Sequence, residues 1–283
     1  MKAFGDTLFE KINSAQGSLF LQGEIAQLTY QAFQKYVQVI SDAPDEKIEI
    51  TYPVGFMPDN TPINTTRSYT KENLIQRYEF LGFSQLPING LYQIVTIIEA
   101  LLGDILRAVL IQFPGKIANK RKVDCDLILE SSSLEEIKLN IVNSLINELA
   151  YKSPNDFAED FNKYVGVNLL EKPAFHRYKE LKATRDIYIH NQGVANEIYI
   201  AKADSLARVE SGSILPVSVQ YFLQSYECCL QITEILEQKL NLIWPSLEFE
   251  KSKTVPLENQ KESIIKKKIE IKKKQTPKLK NKF

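Results

Sequence analysis

Apolar residues recur at helical spacing along most of this chain. Ile25, Leu28, Ala32, Tyr36 and Ile40 form one such series, and the spacing predicts a helical region from about Asp6 to Asp42, divided near Gly17 to Gly23. Lys47-Ile-Glu-Ile-Thr-Tyr-Pro-Val alternates polar and apolar, as a short strand does, and the Pro- and Asn-rich stretch from Pro58 to Asn64 reads as a loop. Thr70 is placed to cap a helix over Lys71 to Leu81 that Gly82 would stop, and Pro87-Ile-Asn-Gly90 punctuates the chain again. Leu91 to Phe113 is apolar around most of its circumference, with a thin polar strip through Gln93, Thr96, Gly103 and Arg107. It is the expected central helix, ended by Pro114-Gly115.

Further along, Ser133-Leu-Glu-Glu136 matches a capping box, followed by an apolar series at Leu134, Ile137, Ile141, Leu145 and Leu149. Ser153-Pro154 opens a helix with Phe157, Phe161, Tyr164 and Val165 on its buried face. Pro173 opens a helix that Gly193 closes, and Pro216 begins a last long helix to about Leu242, with Trp244-Pro245 ending the folded part. The expectation is an all-α protein. Residues 85–245 form the helical domain, residues 1–84 a mainly helical N-terminal extension packed on it, and residues 246–283 a lysine-rich tail without ordered structure.

Composition changes this picture at the C-terminus. The formal net charge is zero, yet residues 251–283 hold twelve lysines against three glutamates, so residues 1–250 carry 23 basic against 32 acidic side chains. A polybasic segment on an acidic body suits electrostatic capture of RNA or ribosomes, and it equally suits a solubilising end. Cys125, Cys228 and Cys229 have no spacing suited to zinc or to a disulfide framework, so reduced thiols, a cytoplasmic location and no metal are expected. The N-terminus lacks a secretory h-region, and Gln93, Glu99, Asp104 and Arg107 interrupt the most apolar segment, which argues against a membrane span.

The pointed chemistry is concentrated in Leu181-Lys-Ala-Thr-Arg185-Asp186-Ile-Tyr-Ile-His190-Asn191-Gln-Gly193, which holds one of two histidines. With Tyr178 taken as zero on a helical wheel, Ala174, Phe175, Leu181, Tyr188 and Ile189 fall within about 80°, and Arg185 lies at about 340°, inside that apolar stripe. A guanidinium there must snorkel, meet a carboxylate or face a cleft that admits anions, and Glu99 and Asp104 are candidate partners. Lys182 lies near the same stripe. His190 sits about 140° around from Arg185, at the last turn, where Asp186 four residues earlier can reach it. Ala183 and Ile187 fall on the side away from the core and suggest a second contact surface, such as a homodimer interface. His176 falls on the solvent side.

Arg185-Asp186-x-x-x-His190 at the end of a helix resembles the HEPN superfamily (higher eukaryotes and prokaryotes nucleotide-binding domain), as does the continuation His190-Asn191-x-Gly193-x-x-Asn196-Glu197-x-Tyr199. The resemblance covers residues 85–245 and implies a HEPN-like helical bundle with metal-independent endoribonuclease activity on single-stranded RNA, needing no cofactor. It also implies a homodimer whose two motifs face one cleft, and a toxin or anti-phage effector restrained by an antitoxin or regulatory protein. In that reading His190 handles the proton of the attacking 2′-hydroxyl or the leaving 5′-oxygen, Arg185 holds the scissile phosphate, and Asp186 orients the pair. From their positions, Lys182 either extends toward the same anion on the RNA or snorkels to solvent, and Asn191 either contacts RNA or helps to end the helix. The chain departs from the subfamily with Arg-x-x-x-x-His-x-Tyr, because Gln192 stands where that tyrosine would be. The alternatives from other classes are a non-catalytic module of the same fold that binds RNA, a nucleotide or a protein, and a helical protein-interaction subunit with no nucleic-acid role.

Overall fold

The computed structural model describes residues 3–44, 46–117 and 125–252. It is a mostly helical bundle with one antiparallel hairpin. In chain order it comprises α1 (Phe4–Asp42), β1 (Lys47–Phe56), β2 (Pro62–Thr70), α2 (Lys71–Phe80), α3 (Leu86–Gln112) and α4 (Cys125–Glu130). Then come α5 (Leu134–Ala150), α6 (Pro154–Val165), α7 (Pro173–His190), α8 (Glu197–Ala203), α9 (Val219–Ile243) and α10 (Leu247–Ser252). The expected lysine-rich tail lies outside the described residues beyond Ser252.

α3 is the axis of the bundle. Leu91, Ile94, Val95, Ile98, Ile105, Leu106, Val109 and Leu110 are all buried, because α1, α5, α6, α7 and α9 pack around it. Burying a side chain of this size contributes about 1.5–3 kcal/mol, so this one helix supplies a large share of the core. The first half of α1 adds Leu8, Ile12, Ala15 and Leu19 to the same cluster, which joins the N-terminal residues to the bundle. The second half of α1 keeps the apolar series that the sequence shows, but Ile25, Leu28, Tyr36 and Val39 remain exposed.

Several boundaries differ from the sequence reading, and glycine explains most of them. α1 is one continuous helix through Gly17 and Gly23. A β-carbon at Gly23 would come within 2.9 Å of the Tyr226 ring, so that glycine admits α9 and breaks nothing. Gly82 does not end α2 either. The chain passes through a π-helical turn at Leu81–Gln85 straight into α3. Gly82 lies under Phe33 and Gly90 under Phe222, each leaving 2.5 Å for a β-carbon. Pro87 stands in the first turn of α3, directly after the π-helical turn.

The single expected strand is half of a hairpin. Lys47 pairs opposite Thr70 and Thr51 opposite Thr66, with an irregularity between Pro53 and Gly55. Pro62, Ile63 and Asn64, read as loop, belong to β2. The folded part also runs past Pro245. α10 packs on the start of α1, where Asp6 Oδ1 accepts from Ser246 Oγ at 2.7 Å and Phe249 is buried. The capping reading holds at Thr70 and Ser133, and Ser153 caps α6 likewise; each accepts from the backbone N–H three residues on.

Gly90→Ala should destabilise the protein by about 1–3 kcal/mol in urea unfolding, because the new methyl meets the buried Phe222 ring. Gly103→Ala, also inside α3 but with nothing within 4 Å, should stabilise by about 0.5–1 kcal/mol. Equal effects at the two sites would contradict this account of α3.

Candidate functional site

α7 is buried on two opposite sides. Phe175, Tyr178 and Leu181 face the main core, whereas Ala183 and Ile187 pack with Ala195, Tyr199, Ala203 and Leu215 in a second cluster. The surface suggested for a second copy at Ala183 and Ile187 is therefore covered within the chain. The segment after α7 folds back to do this: Ala195 N–H donates to Ser213 O at 2.9 Å and Leu215 N–H to Gly193 O at 2.8 Å. Gly193 makes the turn at φ +82°, its N–H returning to Ile187 O at 3.2 Å, which ends the helix where the sequence places the stop. Ile189 is exposed, although the wheel puts it on the core face.

A buried polar cluster ties this returning segment down. Glu180 Oε1 accepts from Thr184 Oγ1 at 2.7 Å, Tyr199 OH at 3.0 Å and Arg208 Nε at 2.9 Å, and Glu180 Oε2 accepts from Tyr221 OH at 2.8 Å. The Arg208 guanidinium lies 3.7 Å from the Tyr221 ring centre. Burial, followed by the Glu180 charge, pushes the Tyr221 phenol well above its ordinary range, so it remains a donor. The sequence reading missed Glu180, Arg208 and Tyr221, and it named Thr184 and Tyr199 only as letters of the motif. The available signal was Glu180 and Thr184, four apart beside Ala183 and Ile187 on the far side of α7.

Between α3, α5, α6, α7 and α8 runs a groove of about 810 Å³. All five residues singled out from sequence, Lys182, Arg185, Asp186, His190 and Asn191, line it. Arg185 is held from two directions. Its Nη2 lies 2.6 Å from Glu99 Oε2 on α3, and its Nε lies 3.3 Å from Asp186 Oδ1. The second approach is close enough for ionic attraction but is not aligned as a hydrogen bond, which leaves Nε buried without an acceptor. Glu99 also accepts from Lys182. Asp104, the other expected partner, pairs with Arg107 at 2.9 Å and Lys11 at 3.7 Å.

Asp186 reaches Lys202 Nζ at 3.3 Å on α8 and makes no hydrogen bond or ion pair with His190 among the described contacts, so the expected Asp186–His190 pairing is replaced by Arg185 and Lys202. His190 is exposed at the end of α7. The Asn191 side chain donates to Val194 O and is spent on the turn. Lys152 on the groove pairs with Asp160 at 2.7 Å, while Lys182, Arg185 and Lys202 share two carboxylates, Glu99 and Asp186, which leaves one cation in excess, suited to an anionic ligand. Among the described residues no group of three or more His, Cys, Asp or Glu side chains could hold a metal, and no helix is long and apolar enough to cross a membrane. Cys228 and Cys229 are buried, and burial raises the Cys228 thiol to about 12, as befits core residues. Cys125 and His176 are exposed.

Compared with family models, with characterised proteins and with solved structures, the chain matches none.

Glu180→Ala should cost about 2–4 kcal/mol of unfolding free energy, because it removes the counter-charge of Arg208 and an acceptor from two tyrosine hydroxyls. Equilibrium denaturation reads this directly, and a loss below about 0.5 kcal/mol would show that the cluster does not anchor α8.

Proposed function

We propose that the groove is an RNA site and that the chain is a metal-independent endoribonuclease of the HEPN type acting on single-stranded RNA. The observation that carries this reading is the convergence of Arg185, His190, Lys182 and Asp186 on one groove with more cations than carboxylates. Arg185 has five N–H donors, and Glu99 engages one nitrogen, so the guanidinium keeps capacity for a phosphate oxygen while its position is held. His190, exposed in the last turn of α7, can turn its side chain toward a bound 2′-hydroxyl.

In the reaction the ribose 2′-oxygen attacks the adjacent phosphorus as its proton passes to a base. The bond to the 5′-oxygen of the next nucleotide breaks as that oxygen gains a proton. His190 serves one of these transfers, and Arg185 with Lys182 carries the charge that develops on the phosphoryl oxygens. The ends left are a 2′,3′-cyclic phosphate and a 5′-hydroxyl. Asp186 and Glu99 act by positioning Arg185. A second copy meeting the groove mouth would complete the site, and the exposed Tyr151 and Ile198 on its rim offer apolar contact for it. A toxin or anti-phage role, restrained by an antitoxin or other regulatory protein, rests on the HEPN resemblance alone.

A second reading has its own support. Arg185 is 15% exposed and flanked by two carboxylates, as a structural arginine would be. In that case the groove belongs to a non-catalytic module that binds RNA, a nucleotide or a protein.

Purified full-length protein should cut single-stranded RNA in EDTA and leave DNA intact. Arg185→Ala and His190→Ala should each lower the rate at least about 100-fold while circular dichroism stays unchanged. Undiminished cleavage in both variants would remove the assigned site, and no cleavage of any RNA by the parent protein would favour the second reading.

A further inference from the structure

The groove has two kinds of lining residue. Its lining combines the cations Lys182, Lys202 and Arg185 with the aromatic Phe157, Phe175 and Tyr178, of which Phe157 is half-buried and the other two are buried. Tyr178 is 3% exposed, yet its hydroxyl has no hydrogen-bond partner. Buried hydroxyls are nearly always satisfied, so one left open on a groove wall needs an explanation. Arg185 Nε, two helical turns along the same face of α7, is a second buried donor without an acceptor. Both residues line the same cavity, and the Glu99 and Arg185 charges both act on the Tyr178 phenol, which burial holds in its protonated, donating form.

Cations beside an aromatic wall suit an anion with a flat apolar body and polar edge atoms. An inorganic anion would leave the wall unused, and an aliphatic ligand would leave both donors unused. We propose that the groove contains a base subsite that takes one unstacked nucleobase of single-stranded RNA. The base packs against Phe157, the Tyr178 hydroxyl donates to an acceptor on its edge, and the attached phosphate lies toward Arg185 and Lys182. This rests on the RNA reading of the groove and adds to it a specificity residue, Tyr178. A hydroxyl placed to meet a base edge discriminates between bases more strongly than an apolar wall, because the wrong edge leaves that donor unpaired.

Calorimetric titration of the full-length protein with the four nucleoside 3′-monophosphates and with inorganic phosphate tests the subsite without requiring turnover. At least one nucleotide should bind at least about tenfold more tightly than phosphate, through stacking on the wall. Tyr178→Phe should weaken that nucleotide about three- to tenfold and leave phosphate binding unchanged. It keeps the ring and removes only an unpaired hydroxyl, so its thermal stability should not fall. Nucleotides bound no better than phosphate, or nucleotide affinity unaltered by Tyr178→Phe, would overturn the subsite. The two claims separate cleanly. Nucleotide binding of the expected pattern without RNA cleavage would end the ribonuclease reading and leave the subsite standing. RNA cleavage with nucleotides bound no better than phosphate would end the subsite alone.

Discussion

The contact on which the site depends is the ion pair between Arg185 of α7 and Glu99 of α3. An arginine inside an apolar stripe cannot be left without a counter-charge, because removing an unpaired ion from water costs several kcal/mol. Glu99 answers that requirement from the most buried helix of the bundle, and Asp186 answers it from the next position on α7 itself. The consequence is positional. A guanidinium gripped by a carboxylate on a rigid core helix does not wander, and the side chains around it form one wall of the groove. Lys182, which shares Glu99, and Lys202, which shares Asp186, are placed by the same two carboxylates.

The opposite side of α7 does complementary work. Glu180 gathers Thr184, Tyr199, Arg208 and Tyr221 into one buried cluster, and this cluster fastens the segment that follows Gly193. α8 then stands where Lys202 can reach Asp186, and Tyr199 and Ile198 become part of the groove. A helix with polar anchors on one side and aromatic packing on the other needs no second copy to cover it. Any dimer must therefore use surfaces other than Ala183 and Ile187.

Helical periodicity and capping chemistry made much of this fold legible in the sequence. Thr70 and Ser133 cap the helices they were expected to cap, and the Leu91–Phe113 segment is the core helix. The misread breaks near the start of the chain share one cause. Gly23, Gly82 and Gly90 look like breaks in a single sequence, but each one lets an aromatic ring from another helix approach the backbone. That requirement is tertiary and leaves no local trace. At the site, Arg185 was conspicuous because its charge conflicted with its position, and Glu99 followed from that conflict. Arg208 and Tyr221 lie in ordinary-looking segments, and only the chain's return across α7 brings them to Glu180.

The groove brings a fixed guanidinium and an exposed imidazole together beside aromatic residues, and the proposal of RNA cleavage rests on that arrangement. The most direct measurement of that claim is end-group analysis of an RNA incubated with the full-length protein in EDTA, beside the same RNA carrying one 2′-deoxy nucleotide at the cleaved position. The account predicts a 2′,3′-cyclic phosphate end from the first and no cut at that position in the second. Cleavage at the 2′-deoxy position, or products with a free 3′-hydroxyl, would contradict it.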